Sequence, residues 1–335
     1  MRIAVDAMGG DDAPGPIVDG ALVAARHLGV ELSLVGRSDL VAAELDRHPD
    51  RIRLGVRVVD APDVIGMAES PATAIRRKPG ASVRVAADLV ARGEAAAFFS
   101  AGNTGASMIA ALAAFGMLPG VDRPALATTI PTRHGAAVLL DSGANAGCRA
   151  RHLVQFATMG AVYARVALGI AEPRVGLLST GEEESKGTTT IREAHQRLKD
   201  EPLNFRGNIE ARDVFAGEVD VIVCDGFTGN VTLKTSEGLV EMVEALLRDE
   251  LSHTFSERFG YLLSRRAFRR FRRRVDYSEY GGAPLLGVAG LCVVGHGRSS
   301  AKAVRNAVAM AARFASERIV GKLEEAMAVS LARAE

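Results

Sequence analysis

The chain lacks tryptophan, and only 5% of its 335 residues are aromatic. It has three cysteines, which are far apart and form no C-x-x-C pair and no Cys/His ligand spacing. A structural zinc site or a disulfide framework therefore has no basis in this sequence. Cys224 and Cys292 lie in apolar, strand-like runs, so we expect both to be small, buried core residues.

Long hydrophobic runs and an excess of one charge are also lacking. No apolar run approaches the roughly 18–20 residues of a membrane-spanning helix, and the first residues read as a strand rather than as a signal peptide. The net charge is +1, which gives no reason to expect nucleic acid as a partner. We therefore expect a cytoplasmic protein that at most attaches to a membrane surface.

Strand-like and helix-like runs alternate along most of the chain, with no linker that would divide it. This alternation predicts one α/β domain over residues 1–335, with a mostly parallel sheet covered by helices on both faces. The predicted strands are 2–5, 31–35, 53–59, 95–99, 125–130, 136–140, 174–178, 219–224 and 291–294, and the clearest predicted helices are 16–28, 82–92, one from 106, and 301–312.

Several predicted strands end in short loops of glycine, hydroxyl, amide and carboxylate residues. The run Val219 to Cys224, for example, ends at Asp225-Gly226-Phe227-Thr228-Gly229-Asn230. One such loop is usually only turn chemistry, but the carboxyl ends of parallel strands share one edge of a sheet. We therefore expect a crevice for a polar, anionic ligand, lined by Asn103, Thr104, Asn145, Lys186, Asn230 and Ser299, with Lys234 just beyond.

Known nucleotide fingerprints do not fit these loops. No G-x-G-x-x-G opens the first helix, and G-E-E-E-S-K-G-T at 181–188 departs from a P-loop because its lysine precedes the second glycine. Glu182 to Glu184 can complement a helix dipole or hold a divalent metal, and His296 can be a turn residue or a ligand contact. The absence of G-x-S-x-G gives a covalent acyl-serine mechanism little support.

Seven motifs together resemble the bacterial phosphate acyltransferase family of phospholipid synthesis, in order and over nearly the whole chain. The resemblance implies transfer of a fatty acyl group from acyl carrier protein to inorganic phosphate, without a cofactor or metal. It also implies a three-layer α/β/α sandwich like isocitrate and isopropylmalate dehydrogenases and phosphotransacetylases, usually as a homodimer. The motifs are VDAMGGD (5–11), SAGNTG (100–105), LDSGAN (140–145), STGEEESKG (179–187), DGFTGN (225–230), YSEYGGAPLLG (277–287) and GHGRSS (295–300).

Within these motifs we predict Lys186 and Asn230 as catalytic residues that stabilise phosphate or oxyanion charge. Replacing Lys186 with alanine is then expected to reduce turnover more than roughly 100-fold, unless Lys186 only forms a salt bridge to Glu182–Glu184. The predicted substrate-binding residues are Asp6, Gly9, Gly10, Asp11, Ser100, Gly102, Asn103, Thr104, Asn145, Gly181, Asp225, Thr228, Lys234, His296 and Ser299. Two other readings stay open: a dehydrogenase-like enzyme on the same fold, and a non-catalytic membrane scaffold.

Residues 236–280 form a distinct, charge-rich module. Apolar residues between Leu239 and Leu251 have amphipathic helix spacing, and seven arginines occur among residues 265–274. A solvated charged face, nucleic acid, anionic lipid and acidic carrier protein are the alternatives. The family resemblance favours a helical hairpin at the inner face of the cell membrane and allows carrier-protein docking, through Phe259, Leu262, Leu263, Arg269, Arg270, Arg272 and Arg273.

Overall fold

The computed structural model describes residues 1–251, 254, 260–261, 263–268, 270–271 and 279–334. Its strands are β1 (Arg2–Asp6), β2 (Glu31–Gly36), β3 (Val56–Asp60), β4 (Ala97–Ser100), β5 (Ala125–Leu126), β6 (Thr128–Thr132), β7 (Gly135–Leu140), β8 (Arg174–Leu178), β9 (Asn204–Ile209), β10 (Val221–Val223), β11 (Ala283–Leu286) and β12 (Cys292–Val294). Its helices are α1 (Gly15–Leu28), α2 (Ser38–Asp46), α3 (Pro71–Arg77), α4 (Ser82–Ala91), α5 (Thr104–Phe115), α6 (Ala150–Leu168), α7 (Thr189–Asp200), α8 (Gly226–Glu250), α9 (Ala301–Ser316) and α10 (Ile319–Ala334).

The strands divide between two sheets. The first has seven strands in the order β3-β2-β1-β4-β12-β11-β5, and the second has five in the order β6-β7-β10-β8-β9. The pairs β5–β11, β11–β12 and β6–β7 are antiparallel, and the other pairs of these strands are parallel. The expectation of an α/β fold with mostly parallel strands and helices on both sides is therefore confirmed, with two sheets in place of one.

Alternation along the strands explains why helices cover both faces of each sheet. In β1, Ile3 and Val5 enter a core cluster with α1, α6 and α9, while Ala4 faces the cluster that contains α4 and α5. In the second sheet, Val138 and Leu140 of β7 join that same first cluster. One apolar core therefore lies between the two sheets and joins them.

The predicted strand 125–130 is wrong as a single element. Residues of β5 pair with β11 in the first sheet, whereas β6 pairs with β7 in the second. Ala127 lies between them and is fully buried. The chain therefore passes from one sheet to the other here, and a continuous run of small and β-branched residues suits either sheet.

Helix α8 connects the loop at 225–230 to the charge-rich module, since it continues without interruption to Glu250. Residues 263–268 are helical, and Leu263 and Arg270 are exposed. The predicted surface residues Phe259, Leu262, Arg269, Arg272 and Arg273 lie outside the described residues. Within the described part of the chain, every helix is too short or too polar to cross a membrane.

Candidate active site

A cavity of about 310 Å³ opens between the two sheets, at the carboxyl ends of their strands. The second sheet contributes Thr128 and, just after β7, Ser142, while the first contributes Val294 through His296. Helix α8 closes one side with Asn230 and Lys234. Of the six residues that we expected to line a crevice, Thr104, Asn230 and Ser299 line this cavity.

Helices α5, α8 and α9 direct their N-terminal ends at the crevice. Thr104 is the first residue of α5, Asn230 lies in the first turns of α8, and Ser299 precedes the start of α9; all line the cavity. The ends are capped by the side chains of Asn103, Asp225 and Ser300. Since a helix N-terminus carries partial positive charge, the crevice favours an anion.

The loops of the first sheet are held together by Asp6. Its buried carboxylate accepts hydrogen bonds from Ser100 Oγ at 2.7 Å and from the Met8 amide at 3.2 Å. Burial raises the pKa of Asp6 above its ordinary value. At Gly9 a Cβ atom would lie 2.7 Å from the Gly102 amide, so only glycine permits this contact. These residues place the crevice loops rather than line the cavity.

Asp141 performs the same task in the second sheet. Its carboxylate accepts the amides of Leu126, Gly143, Ala144 and Asn145. Burial raises the pKa of Asp141, despite these hydrogen bonds. The 141–145 loop is thereby fixed next to the first turns of α8.

Gly229 allows α8 to approach that loop. A Cβ atom there would overlap the carbonyl oxygen of Asp141. On the next residue, the side chain of Asn230 lies over Gly143, where a Cβ atom would be 3.7 Å from Asn230 Cγ. This close contact keeps Asn230 beside the 141–145 loop, where it lines the cavity.

Asn230, Lys234 and His296 are the polar groups that best fit an anion. Lys234 Nζ lies 2.7 Å from Glu237 Oε2 and 3.4 Å from His296 Nε2. Burial lowers the pKa of His296, and the charge of Lys234 lowers it further, so the imidazole is neutral at pH 7. The crevice thus offers an ammonium, an amide and a neutral imidazole from two sides.

Other predicted site residues are occupied in building the loops. Asn103 Nδ2 donates to the carbonyls of Met67 and Glu69, and Asn145 Nδ2 donates to Pro124. Thr228 Oγ1 donates to Asp225, and Ser299 Oγ donates to the His296 carbonyl. Ser299 and Thr104 also line the cavity, whereas Asn103, Asn145 and Thr228 do not. Their contact with substrate stays a prediction. The same holds for Asp6, Gly9, Gly10, Asp11, Ser100, Gly102, Gly181 and Asp225.

Lys186 lies on the exposed loop after β8 and is not among the cavity-lining residues. The acidic residues beside it have other partners: Glu182 pairs with Arg212, and Glu184 pairs with Lys199. Helix α7 begins only at Thr189, so the acidic run does not lie in its first turn, as a dipole role would require. In the described parts of the chain, no cluster of three His, Cys, Asp or Glu side chains could hold a metal. The catalytic role of Lys186 stays a prediction.

Sequence reasoning missed Thr128, Ser142, Glu237 and Tyr280 at the crevice. Ser142 Oγ donates to the Leu126 carbonyl at 3.0 Å and lies 2.7 Å from Thr128 Oγ1. Ser142 and Tyr280 lie within two of the family-like motifs, and this position in a motif was the signal that could have identified them as site residues. Thr128 and Glu237 had none, because each reaches the cavity from a strand or helix position that no motif marks.

The three thiols are poor nucleophiles in this environment. Cys224 and Cys292 are buried in β-sheet regions, as expected, and burial raises the pKa of both. Burial and the charge of Asp141 raise the pKa of Cys148 to about 11. Since the thiolate is the reactive form, an acyl-cysteine intermediate gains no support from these residues.

The chain is similar to known proteins over nearly its whole length. Residues 1–322 match a family model described as "Fatty acid synthesis protein". The Phosphate acyltransferase of Geobacter sp. (strain M21) is 50% identical over 97% of this chain and 92% of its own length. That of Acidobacterium capsulatum is 51% identical over 96% of both chains.

Two solved structures share the fold at low identity. A phosphotransacetylase from Streptococcus pyogenes superposes with a TM-score of 0.60 at 18% identity, covering 95% of this chain and 94% of its own. A branched-chain phosphotransacylase from Enterococcus faecalis V583 gives 0.59 at 14% identity, covering 94% of this chain and 99% of its own. The phosphotransacetylase-like fold expected from the motifs is confirmed. Through its family model and its close relatives, the chain belongs to the phosphate acyltransferase family of fatty acid and phospholipid synthesis.

Proposed function

We propose that this protein transfers a fatty acyl group from acyl carrier protein to inorganic phosphate in the crevice between its sheets. The observation that carries the proposal is the group formed by Asn230, Lys234 and His296 at the N-terminal ends of helices. In this group the Lys234 ammonium, paired with Glu237 at 2.7 Å, lies with the Asn230 amide and the His296 imidazole around a cavity of about 310 Å³. Such a set suits an anionic nucleophile that attacks a neutral thioester.

The reaction needs positioning more than deprotonation. Phosphate at neutral pH is already an anion and a nucleophile, so no strong general base is required. Holding it in line with the thioester carbonyl supplies much of the rate. Donors in a preformed crevice then stabilise the tetrahedral oxyanion, each typically contributing about 3 kcal/mol.

Collapse of that intermediate breaks the carbon–sulfur bond and releases the carrier protein's thiol. A free thiol has a pKa of about 8.5, so the leaving thiolate needs only modest assistance. Lys234 is positively charged and lies beside the cavity, where it can stabilise either the phosphate or the departing sulfur. The products are an acyl phosphate and free carrier protein.

Phosphate-dependent release of thiol tests this function directly. The purified protein is incubated with acyl-carrier protein, with and without inorganic phosphate, and free thiol is measured over time. We expect release only with phosphate, together with formation of acyl phosphate. Thiol release that is independent of phosphate, or none with phosphate, contradicts the proposal.

We further infer that the protein acts as a homodimer at the inner face of the cell membrane, with the 236–280 module as its lipid-facing surface. Support comes from exposed Leu263 and Arg270 and from the seven arginines of residues 265–274. Cations beside apolar residues bind anionic lipid by charge and insertion together. Docking of acidic carrier protein on the same surface is the competing use.

Co-sedimentation with anionic liposomes separates these contributions. Phe259→Glu removes an apolar side chain, and Arg272→Glu with Arg273→Glu reverses charge. We expect both changes to reduce sedimentation, with the charge reversal losing its effect at high salt. Wild-type sedimentation in all variants excludes the membrane role.

A further inference from the structure

A second cavity of about 310 Å³ lies behind the crevice and shares part of its wall. Thr129 and Tyr280 line both cavities. We call this second space the rear cavity; its other walls come from the end of α6 and from α9. The two cavities are therefore neighbours, and these two residues form the wall that they share.

The shared wall is fixed in place. Thr129 and Tyr163 are buried, and their hydroxyl oxygens are 2.9 Å apart in a hydrogen bond. Tyr163 also packs edge-on against Phe314, with ring centroids 5.4 Å apart. At Gly281 the φ angle is +86°, and a Cβ atom would lie 2.5 Å from the Ala307 amide of α9. This close approach sets the position of neighbouring Tyr280 between the cavities.

Apolar side chains form one part of the rear cavity's lining, beside the polar residues Glu279, Asn306 and Arg313. Leu168, Ala309, Met310 and Phe314 line it, with Ala167 at the end of α6. Ala167 and Ala309 have small side chains, so a larger side chain at either position would take up space in the cavity. Methionine adapts its shape to flexible apolar ligands.

Charged groups at the rim are bound to one another or to the backbone. Arg313 donates to the carbonyls of Val166 and Ala167 at the end of α6. Glu279 accepts from Lys302 at 2.7 Å. Arg313 keeps its positive charge at the wall, with its guanidinium carbon 5.7 Å from the centroid of the Phe314 ring. The aliphatic and aromatic side chains beside it offer a surface for hydrocarbon.

We propose that the rear cavity receives the fatty acyl chain of the donor while its thioester carbonyl lies in the crevice. The inference rests on the acyl transfer proposed above, and it assigns the chain a path past Thr129 and Tyr280 to Leu168, Met310 and Phe314. Transfer of methylene groups from water to such a surface is favourable. The cavity then selects long chains over short ones.

Filling the rear cavity should change chain-length selection. Ala309→Phe and Ala167→Phe add a ring from opposite walls, and Ala328→Phe on the exposed side of α10 is the matched control. We measure kcat/KM for hexadecanoyl- and butanoyl-carrier protein by phosphate-dependent thiol release. Each filling variant is expected to lower the long-to-short ratio by roughly tenfold, while the control keeps the wild-type ratio.

Cross-linking of the wild-type protein keeps the inference testable where a variant fails to fold. A dodecanoyl-carrier protein with a diazirine on the last chain carbon is irradiated in the complex. Labelling of residues 163–168 or 306–314 is expected. Labelling elsewhere, or folded variants that lose both donors equally, overturns the assignment. A wild-type protein that releases no thiol with phosphate instead refutes the acyl transfer itself.

Discussion

Single side chains around the crevice fall into two groups: those that build its loops and those that face its cavity. The polar atoms of Asp6, Asp141 and Asn103 form hydrogen bonds with backbone and side-chain groups of the loops. Asn230 and Lys234 face the cavity. Mutations in the first group should therefore act through folding, and mutations in the second through turnover.

Lys234 lines the cavity in which we propose that the reaction takes place. Lys234→Met should reduce phosphate-dependent turnover roughly 100-fold because it removes a charge that stabilises developing negative charge. Lys322→Met is the matched control, since Lys322 is a similarly exposed lysine paired with a glutamate. Turnover near the wild-type value in Lys234→Met, with an unchanged melting temperature, would remove Lys234 from the mechanism.

Asn230→Ala tests the neutral donor in the same way. We expect a loss of roughly 100-fold in kcat with little change in stability, because the amide faces the cavity. The measurement is kcat and KM for phosphate together with the melting temperature. Lys186→Ala, measured in parallel, shows whether the loop after β8 contributes to turnover at all.

His296 gives a prediction about pH. The folded protein lowers the pKa of His296, first by burial and then by the charge of Lys234. The unfolded chain therefore binds the imidazole proton of His296 more tightly than the folded protein does. The contribution of His296 to stability is lost as the pH falls below about 6.5. Lys234→Met should raise the pKa of His296, which an NMR titration of its Cε1 proton measures. A pKa that stays the same or falls would contradict the proposed proximity.

At the scale of elements, the first turns of α8 depend on Gly229. Gly229→Ala places a methyl group onto the Asp141 carbonyl oxygen, so the helix or the 141–145 loop must move. We expect a loss of about 2 kcal/mol or more in unfolding free energy and reduced turnover, because Asn230 moves with the helix. Urea denaturation and the thiol assay measure the two effects.

Gly238 supplies the matched control in the same helix. A Cβ atom added there would meet no other atom within 4 Å, and alanine favours helix over glycine by about 1 kcal/mol. Gly238→Ala should therefore leave stability unchanged or raise it. If both alanine variants behave alike, close packing at Gly229 does not position α8.

At the scale of the whole molecule, α8 presents an apolar row that one chain leaves exposed. Leu239, Met242 and Leu246 are each more than half exposed, at spacings of three and four residues that place them on one helix face. Contiguous exposed apolar surface is typical of protein or membrane contacts. We assign this row, at the start of the 236–280 module, to the proposed homodimer contact and the arginine-rich residues 265–274 of the same module to lipid.

Leu239→Asp combined with Leu246→Asp should convert a dimer to a monomer, because charge is then buried in the interface. Sedimentation velocity without lipid measures the change. Val329→Asp on α10 is the control, since Val329 is similarly exposed at 54%. A wild-type protein that sediments as a monomer, or a double variant that stays dimeric, would exclude this row as the dimer contact.

Local patterns predicted most strands and helices of the chain, but not α3, α6, α7, α10, β9 or β11. The missed strands have physical causes: Gly207 interrupts the pattern of β9, because glycine is unfavourable within a strand, and β11 contains Pro284, which is rare within sheets. Site loops were recognisable because glycine and short polar residues follow buried strands. The sequence did not predict which side chains of these loops face the cavity, because helix caps and substrate contacts use the same residue types.

The sequence by itself determined the α/β class, the loops at the strand ends and, through its motifs, the family. Those features depend on local periodicity and on residue types that turns and helix caps require. Tertiary structure decided that the strands form two sheets, that the chain crosses between them at Ala127, and that Lys234 meets His296 across 62 positions of sequence. Such contacts join residues far apart in the chain, and only the packing of α8 beside the crevice brings them together.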